Sequence, residues 1–239
     1  MKVRGERECQ DCGTRWRYYE TGSIACPDCG SVHSVGIDEH TEHTDAPATL
    51  DLTPVRSRLD ADSTREIADA AAERCREYTR KRGFIDAGEL RSLDPTFVAA
   101  VELQHVGAHL SRELRSSDPA ERYFYELLGG ADDGDRPAVE EVPSALRVPY
   151  GLAMAAAVDS YQRDVRTYLD ADPEPTARQL SGRIRDHRKR VEALDGDVNP
   201  ADANRLVHAA RDLGSYITGD ESAFVRAENW LAGIEDDSV

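Results

Sequence analysis

The chain has 239 residues, of which 46 are acidic and 30 basic, for a formal net charge of -16. That length suits one sizeable domain with a small companion, since single cores stop growing near about 250 residues. No run approaches the roughly 20 apolar residues that cross a bilayer, and the start MKVRGERECQ lacks the apolar stretch of a signal peptide, so a soluble, cytoplasmic protein with no membrane partner is expected.

Four of the five cysteines fall in the first 29 residues as two CxxCG pairs, Cys9-Gln-Asp-Cys12-Gly13 and Cys26-Pro-Asp-Cys29-Gly30, thirteen residues apart. Cysteines so unevenly placed make no disulfide framework, and a reducing compartment that keeps thiolates for metal is expected. Each pair sets two sulfurs on one tight turn whose backbone amides can point at the thiolates and whose glycine takes the conformation the turn demands. Four thiolates close a tetrahedron, so the predicted cofactor is one structural zinc ion per chain, held by Cys9, Cys12, Cys26 and Cys29. A rubredoxin-like iron site uses the same ligands, but the gap between the pairs is short for that fold. Binding free energies of about 10 to 16 kcal/mol for such sites substitute for a core that so short a segment cannot build.

Between the pairs, Thr14-Arg15-Trp16-Arg17-Tyr18-Tyr19 alternates polar and bulky residues, and Glu20-Thr21-Gly22 offers a turn before Ser23-Ile24-Ala25. This predicts a β-hairpin running from one cysteine pair to the other, which makes residues 1–36 a zinc ribbon rather than a treble clef. Exposed aromatics on so small a module are better explained by a contact than by a core, and they single out Trp16, Tyr18 and Tyr19 as a partner-binding surface.

The order CxxCG, W-x-Y strand, turn and CPxCGS, over about residues 5–36, resembles the zinc ribbons at the front of transcription-factor-B-type proteins and of many small archaeal proteins. The spacing is a little shorter than the general factor's, and nothing downstream resembles its cyclin repeats. The resemblance implies the ribbon fold and a docking role in transcription or other nucleic-acid machinery, not a general initiation factor. Taken whole, the chain resembles an uncharacterised haloarchaeal family of ribbon-containing proteins, which implies no activity. The acidic surface with only three lysines (Lys2, Lys81, Lys189) is similar to that of proteins from salt-loving archaea, where hydrated carboxylates maintain solubility, although a GC-rich genome also enriches arginine. Near molar salt the Debye length falls to about 3 Å and long-range charge arguments lose force.

Residues 37–62 show little helical periodicity, hold two prolines and many Asp and Thr, and read as an acidic linker or strap pinned by Leu50, Leu52 and Val55. His40 and His43 could hold a metal there but lack cysteine partners, and solvent exposure is expected for both.

Residues 63–239 read as an all-α helical bundle of antiparallel hairpins, so the whole chain is mostly α with a small N-terminal β ribbon. Ser63 with Glu66 forms a capping box, and Asp94-Pro95, Asp118-Pro119 and Asn199-Pro200 each set a capping side chain before a first-turn proline. Ile67, Ala71, Cys75 and Tyr78 make one apolar stripe, and Ala99, Leu103, Val106, Leu110 and Leu114 a second. Met154, Val158, Tyr161, Val165 and Tyr168, then Leu180, Ile184, His187, Val191 and Leu194 after the turn DADPEP, predict an antiparallel pair. Leu206, Ala210, Leu213 and Ile217, with Phe224, Ala227, Leu231 and Ile234, predict another. No strand is expected beyond residue 60.

Glu102, His105 and His109 share a helical face at E-x-x-H spacing, half of a carboxylate-bridged metal pair, but no second E-x-x-H occurs, so a polar flank is expected. Cys75 reads as a small core residue without the His or Asp pattern of a nucleophile. Arg74, Arg76, Arg80, Lys81 and Arg82 complement a helix end. A second basic group makes Arg183, Arg185, Arg188, Lys189 and Arg190 the candidate nucleic-acid face, against which stand the net charge, the salt dependence of phosphate binding and internal pairing. No phosphate-binding glycine loop, dinucleotide fingerprint, H-E-x-x-H or G-x-S-x-G element occurs, and no small-molecule substrate is evident. The expectation is a non-enzymatic zinc-binding protein whose ribbon docks on a protein partner. Direct nucleic-acid binding is the second reading, and an enzyme with a structural zinc domain the third.

Overall fold

Gly5 separates two short strands, β1 (Lys2–Arg4) and β2 (Glu6–Cys9), in the computed structural model of the chain, which describes residues 2–113 and 115–236. Strand β2 is the centre of a three-stranded antiparallel sheet between β3 (Arg15–Arg17) and β4 (Ser34–Gly36). Cross-strand partners share a face. The register Arg7↔Trp16 with Cys9↔Ser34 therefore sets Trp16 and Cys9 on one side, and Glu8↔Arg15 with Glu8↔Val35 sets those three residues on the other. The predicted hairpin between the cysteine pairs is corrected. Strand β3 folds back on β2, Tyr18–Thr21 (α1) coils into one helical turn closed by Gly22 at φ 61, and residues 23–25 form no strand. The Tyr18 N–H donates to Gly5 O at 2.7 Å, which ends the alternation.

The acidic stretch follows closely on the ribbon. Asp38 accepts the N–H groups of Gly5 and Glu6 at 3.0 and 2.9 Å, and β5 (His40–Glu42) pairs with β1. Leu50, Leu52 and Val55 are buried, the last in a helical turn, α2 (Thr53–Arg56). His43 is 4% exposed, which corrects its expected place in solvent.

The body begins with α3 (Thr64–Lys81), α4 (Pro95–Leu110) and α5 (Asp118–Gly130), and ends with α6 (Arg147–Ala171), α7 (Pro175–Ala193), α8 (Pro200–Ile217) and α9 (Glu221–Asp236). The predicted caps form at Ser63 with Glu66, at Asp94 on the Phe97 N–H, and at Asn199 on the Ala201 N–H. At α5 the cap moves to Ser117, with Asp118 inside the first turn. Helix α4 buries Phe97, Val101, Leu103 and Val106 and is apolar on nearly every side, so it sits between α3 and α6. Helix α6 packs in turn on α7 and α8, and α8 on α9. Leu114, the last residue of the second predicted stripe, lies outside the described residues. No described helix is long and apolar enough to cross a membrane.

A strand pair beyond residue 60 is a second correction: β6 (Ile85–Asp86) and β7 (Glu89–Leu90) pair across Ala87 and Gly88, both at positive φ (52 and 84). Such turns favour Asn or Asp before the glycine, and an alanine there conceals the hairpin. Tertiary burial of Ile85 and Leu90 holds it.

Helices α3 and α4 approach closely at Gly107, where a Cβ would lie 2.6 Å from the Ala68 carbonyl oxygen. Gly107→Ala gains about 1 kcal/mol of helix propensity but forces the backbones apart, and a net loss of about 1–2 kcal/mol is expected. Thermal unfolding checks it; an unchanged or raised Tm would show that the helices separate freely.

Candidate metal centre

The same turn is built twice. Gly13 N–H donates to Cys9 O at 3.0 Å and Cys9 N–H to Thr14 O at 2.9 Å, while Gly30 N–H donates to Cys26 O at 2.9 Å and Cys26 N–H to Ser31 O at 2.8 Å. Gly13 and Gly30 sit at φ 75 and 73, the left-handed region that side chains resist. The turns face each other so that Cys9 Sγ lies 3.6 Å from Cys29 Sγ and Cys12 Sγ 3.6 Å from Cys26 Sγ, with all four sulfurs within 4.8 Å of one another. Zinc–sulfur bonds of about 2.3 Å place tetrahedral sulfurs about 3.8 Å apart, so the four stand at ligand spacing. They are able to hold one metal ion, and an all-thiolate donor set suits zinc over oxygen-seeking cations.

Crowding divides the thiols. The Thr14 hydroxyl and N–H, then Cys29, hold Cys12 down at about 6, whereas Cys29, despite an N–H from Ser31, is pushed up to about 12 by Cys12, burial, Cys9 and Cys26. A cation binding the four sulfurs displaces the remaining protons, so metal loading releases acid. The Ser31 hydroxyl donates to Asp11 and ties one turn to the other.

The three aromatics singled out from the sequence are not a free surface. Trp16 is 9% exposed, forms a small core with Cys9 and Cys26, and donates its indole N–H to Ser23 O at 3.2 Å. Tyr18 and Tyr19 are half-buried against His43, with ring centroids 6.1 and 4.6 Å away. The expectation of exposure assumed that the ribbon ends at residue 36. The returning strap instead supplies an imidazole for both rings.

That contact carries a pH dependence. Burial holds His43 below its ordinary 6.5 against the pull of Asp86 and Asp45, and Ala87 N–H donates to Nδ1 at 3.3 Å, so the neutral ring bears its proton on Nε2. The unfolded chain takes this proton near 6.5 and the folded chain only at lower pH. Stability is therefore fully present above 6.5 and is lost as pH falls through the lowered folded value. His43→Gln is expected to make the decline in urea stability between about pH 7 and 5 shallower. An unchanged slope would assign the decline to His105 and His208, which burial also lowers.

The basic group on α7 is largely neutralised from within. Arg183 pairs with Glu228, Arg185 lies 3.8 Å from Asp186, and Arg188 reaches Asp159 at 3.1 Å and Glu192 at 2.5 Å, while Lys189 and Arg190 are exposed.

Glu102 departs furthest from expectation. It is no polar flank but fully buried, accepting from the Tyr123 hydroxyl at 2.6 Å and from Arg136 Nη1 at 2.8 Å, and Arg136 Nη2 donates to Asn204 Oδ1 at 3.0 Å. Burial raises the Glu102 pKa against the pull of Arg136 and Tyr123. His105 is half-buried, and His109 lies 3.7 Å from Glu113. Among the described residues the four cysteines are the only cluster suited to a metal. Cys75 is sealed in the core, where burial pushes its thiol up to about 12.

Fold and site together define a mostly α protein with a four-cysteine module at its front that is able to hold one metal ion. The chain belongs to the Family of unknown function (DUF7117), whose model matches residues 1–231. No curated protein and no solved structure matches it.

Proposed function

We propose that this is a non-enzymatic binding protein whose zinc-stapled ribbon docks on a protein partner, through aliphatic residues rather than through Trp16, Tyr18 and Tyr19. One observation carries this. Nine large hydrophobic side chains are exposed among the described residues, and four of them lie within residues 24–37: Ile24 (52%), Val32 (64%), Val35 (45%) and Ile37 (41%). Scattered single exposures are ordinary, but four in one small metal-held module are a mark of an interaction surface. The Ser34 hydroxyl donates to Ile24 O at 2.7 Å, tying the Ile24 segment to β4, and the Ile37 N–H donates to Glu6 O at 2.9 Å on the other side. Such anchoring spares a partner the cost of ordering these residues.

The likeness of the ribbon to those of transcription-factor-B-type proteins supports nucleic-acid machinery as the class of partner. Direct nucleic-acid binding through α7 loses ground, because Arg183, Arg185 and Arg188 already have acidic partners. Affinity purification at native salt tests docking by comparing the wild type with Ile24→Ser, Val32→Ser, Val35→Thr and Ile37→Thr combined, each preparation holding one zinc per chain. Loss of a protein that the wild type retains is expected. Equal recovery of every partner by the variant would refute the docking surface.

A further inference from the structure

The helical body carries a trough that no sequence motif announces. Helix α4 forms its floor, and α3 and α6 form its walls, because α4 packs against both. Two cavities lie along it, of about 640 and 500 Å³, and they share Arg76, Gln104 and His105. Each falls within the range that small-molecule sites occupy, roughly 300–1,000 Å³.

Its charge runs against the rest of the chain. Arg76, Arg80, Arg82, Arg112 and Arg163 line the trough, against Asp164 and Glu113, in a protein of net charge -16. Asp164 is already engaged: its Oδ2 accepts the Thr44 hydroxyl at 2.7 Å and the Phe84 N–H at 2.6 Å. Arg82 is held by Asp45 at 2.6 Å, but its Nε is buried without an acceptor. Among the described residues the side-chain partners of Arg76 and Arg163 lie on their own helices: Glu73, 54% exposed, for Arg76, and Ser160 with Asp159, 39% exposed and shared with Arg188, for Arg163. Such exposed pairs are worth about 0–1 kcal/mol and yield readily to a better acceptor. The Arg80 side chain has no hydrogen-bond or ion-pair partner among the described residues.

We propose that this trough binds a phosphorylated small molecule, an organic body bearing one or more phosphate groups. Guanidinium forks match phosphate oxygens in pairs, and converging arginines from α3 and α6 supply them. The volume is far larger than one tetrahedral anion needs, and Val101 and Ala156 give the remainder an apolar wall. A nucleic-acid strand fits less well: strand-binding grooves stack bases on exposed Phe, Tyr or Trp rings, and the one such ring among the residues lining this trough, Phe84, is 1% exposed. Burial and then the neighbouring Arg76 lower the His105 pKa, so at neutral pH its imidazole N–H adds a hydrogen-bond donor for phosphate but no further positive charge.

Isothermal titration of the full chain, in the salt that gives its highest Tm, decides the matter. The probes are pyrophosphate, ribose 5-phosphate and adenosine monophosphate, with ribose, adenosine, citrate and a short oligothymidylate as comparisons. Saturable binding of a phosphorylated probe is expected, without binding of ribose or adenosine, and weakened about tenfold or more by Arg80→Gln with Arg163→Gln, the loss of two charge-assisted contacts. Arg80→Gln alone is the second variant, since its side chain holds nothing in the fold, and it is expected to weaken binding with Tm unchanged. The proposal is overturned if no phosphorylated probe binds, if citrate binds equally well, if the oligothymidylate binds most tightly, or if the arginine variants bind as the wild type does. The ribbon variant described above should bind these probes unchanged, so failure of docking and failure of this site are separable.

Discussion

Removing the metal, or replacing Cys9 and Cys26 together by serine, is expected to unfold the ribbon and leave the helical body standing. Among the described residues the module's buried hydrophobic core is Cys9, Trp16 and Cys26. Its strands are three or four residues long, too short to hold a sheet without further support. Metal ligation, worth about 10–16 kcal/mol in comparable sites, is therefore expected to be the larger part of what keeps the sheet formed. The body buries its own apolar residues on α3 to α9 and borrows none from the ribbon core, since the two clusters are separate. Hydrogen exchange in a chelator should show β2, β3 and β4 losing protection while α4 and α6 keep theirs, and β1–β5 loosening as Tyr18 and Tyr19 leave His43. Protection of β2 and β3 that survives complete metal removal would disprove the dependence.

The second large effect is expected at Glu102. Replacing it by alanine leaves the Arg136 guanidinium, largely but not fully buried, opposite an empty space and strips the Tyr123 hydroxyl of its acceptor. Breaking one side of a buried pair costs about 3–5 kcal/mol, which in a domain of this size lowers Tm by roughly 6–20 °C. Removing both charges together, as Glu102→Met with Arg136→Met, should cost much less, because neither desolvated ion is left alone. Thermal unfolding of the two singles and the double completes the cycle. A double as damaging as the sum of the singles would show that the charges do not act as a pair.

The difference between these two sites explains what could be read in advance. The cysteine quartet is two copies of a local turn, and a CxxCG pair states its geometry within five residues. Helix starts at Ser63, Asp94 and Asn199 are equally local, since a cap needs only a partner two or three residues away. Glu102 has no such partner. Its counter-ion is Arg136, 34 residues on in a loop without periodicity, so the E-x-x-H spacing suggested a metal half-site or a polar flank, and neither is what the fold makes of it.

Exposure was the least legible property of all. An aromatic run in a short module looked like surface, yet Trp16 fills the space beneath the sulfurs, and His43, returning with β5, covers Tyr18 and Tyr19. The sequence did not mark Ile24, Val32, Val35 and Ile37 as a surface, because isolated apolar residues in so short a module carry no pattern of exposure, and only the fold leaves all four uncovered.

The sequence by itself thus determined the four-cysteine cluster able to hold a metal ion, the helical class of the body and the starts of several of its helices, all set by interactions within a turn or two of chain. Tertiary structure alone decided which aromatics are core, which carboxylate meets which arginine, and where arginines of α3 and α6 converge on one trough. Those outcomes depend on contacts between residues far apart in the chain, and burial follows from what packs above a side chain rather than from the side chain itself.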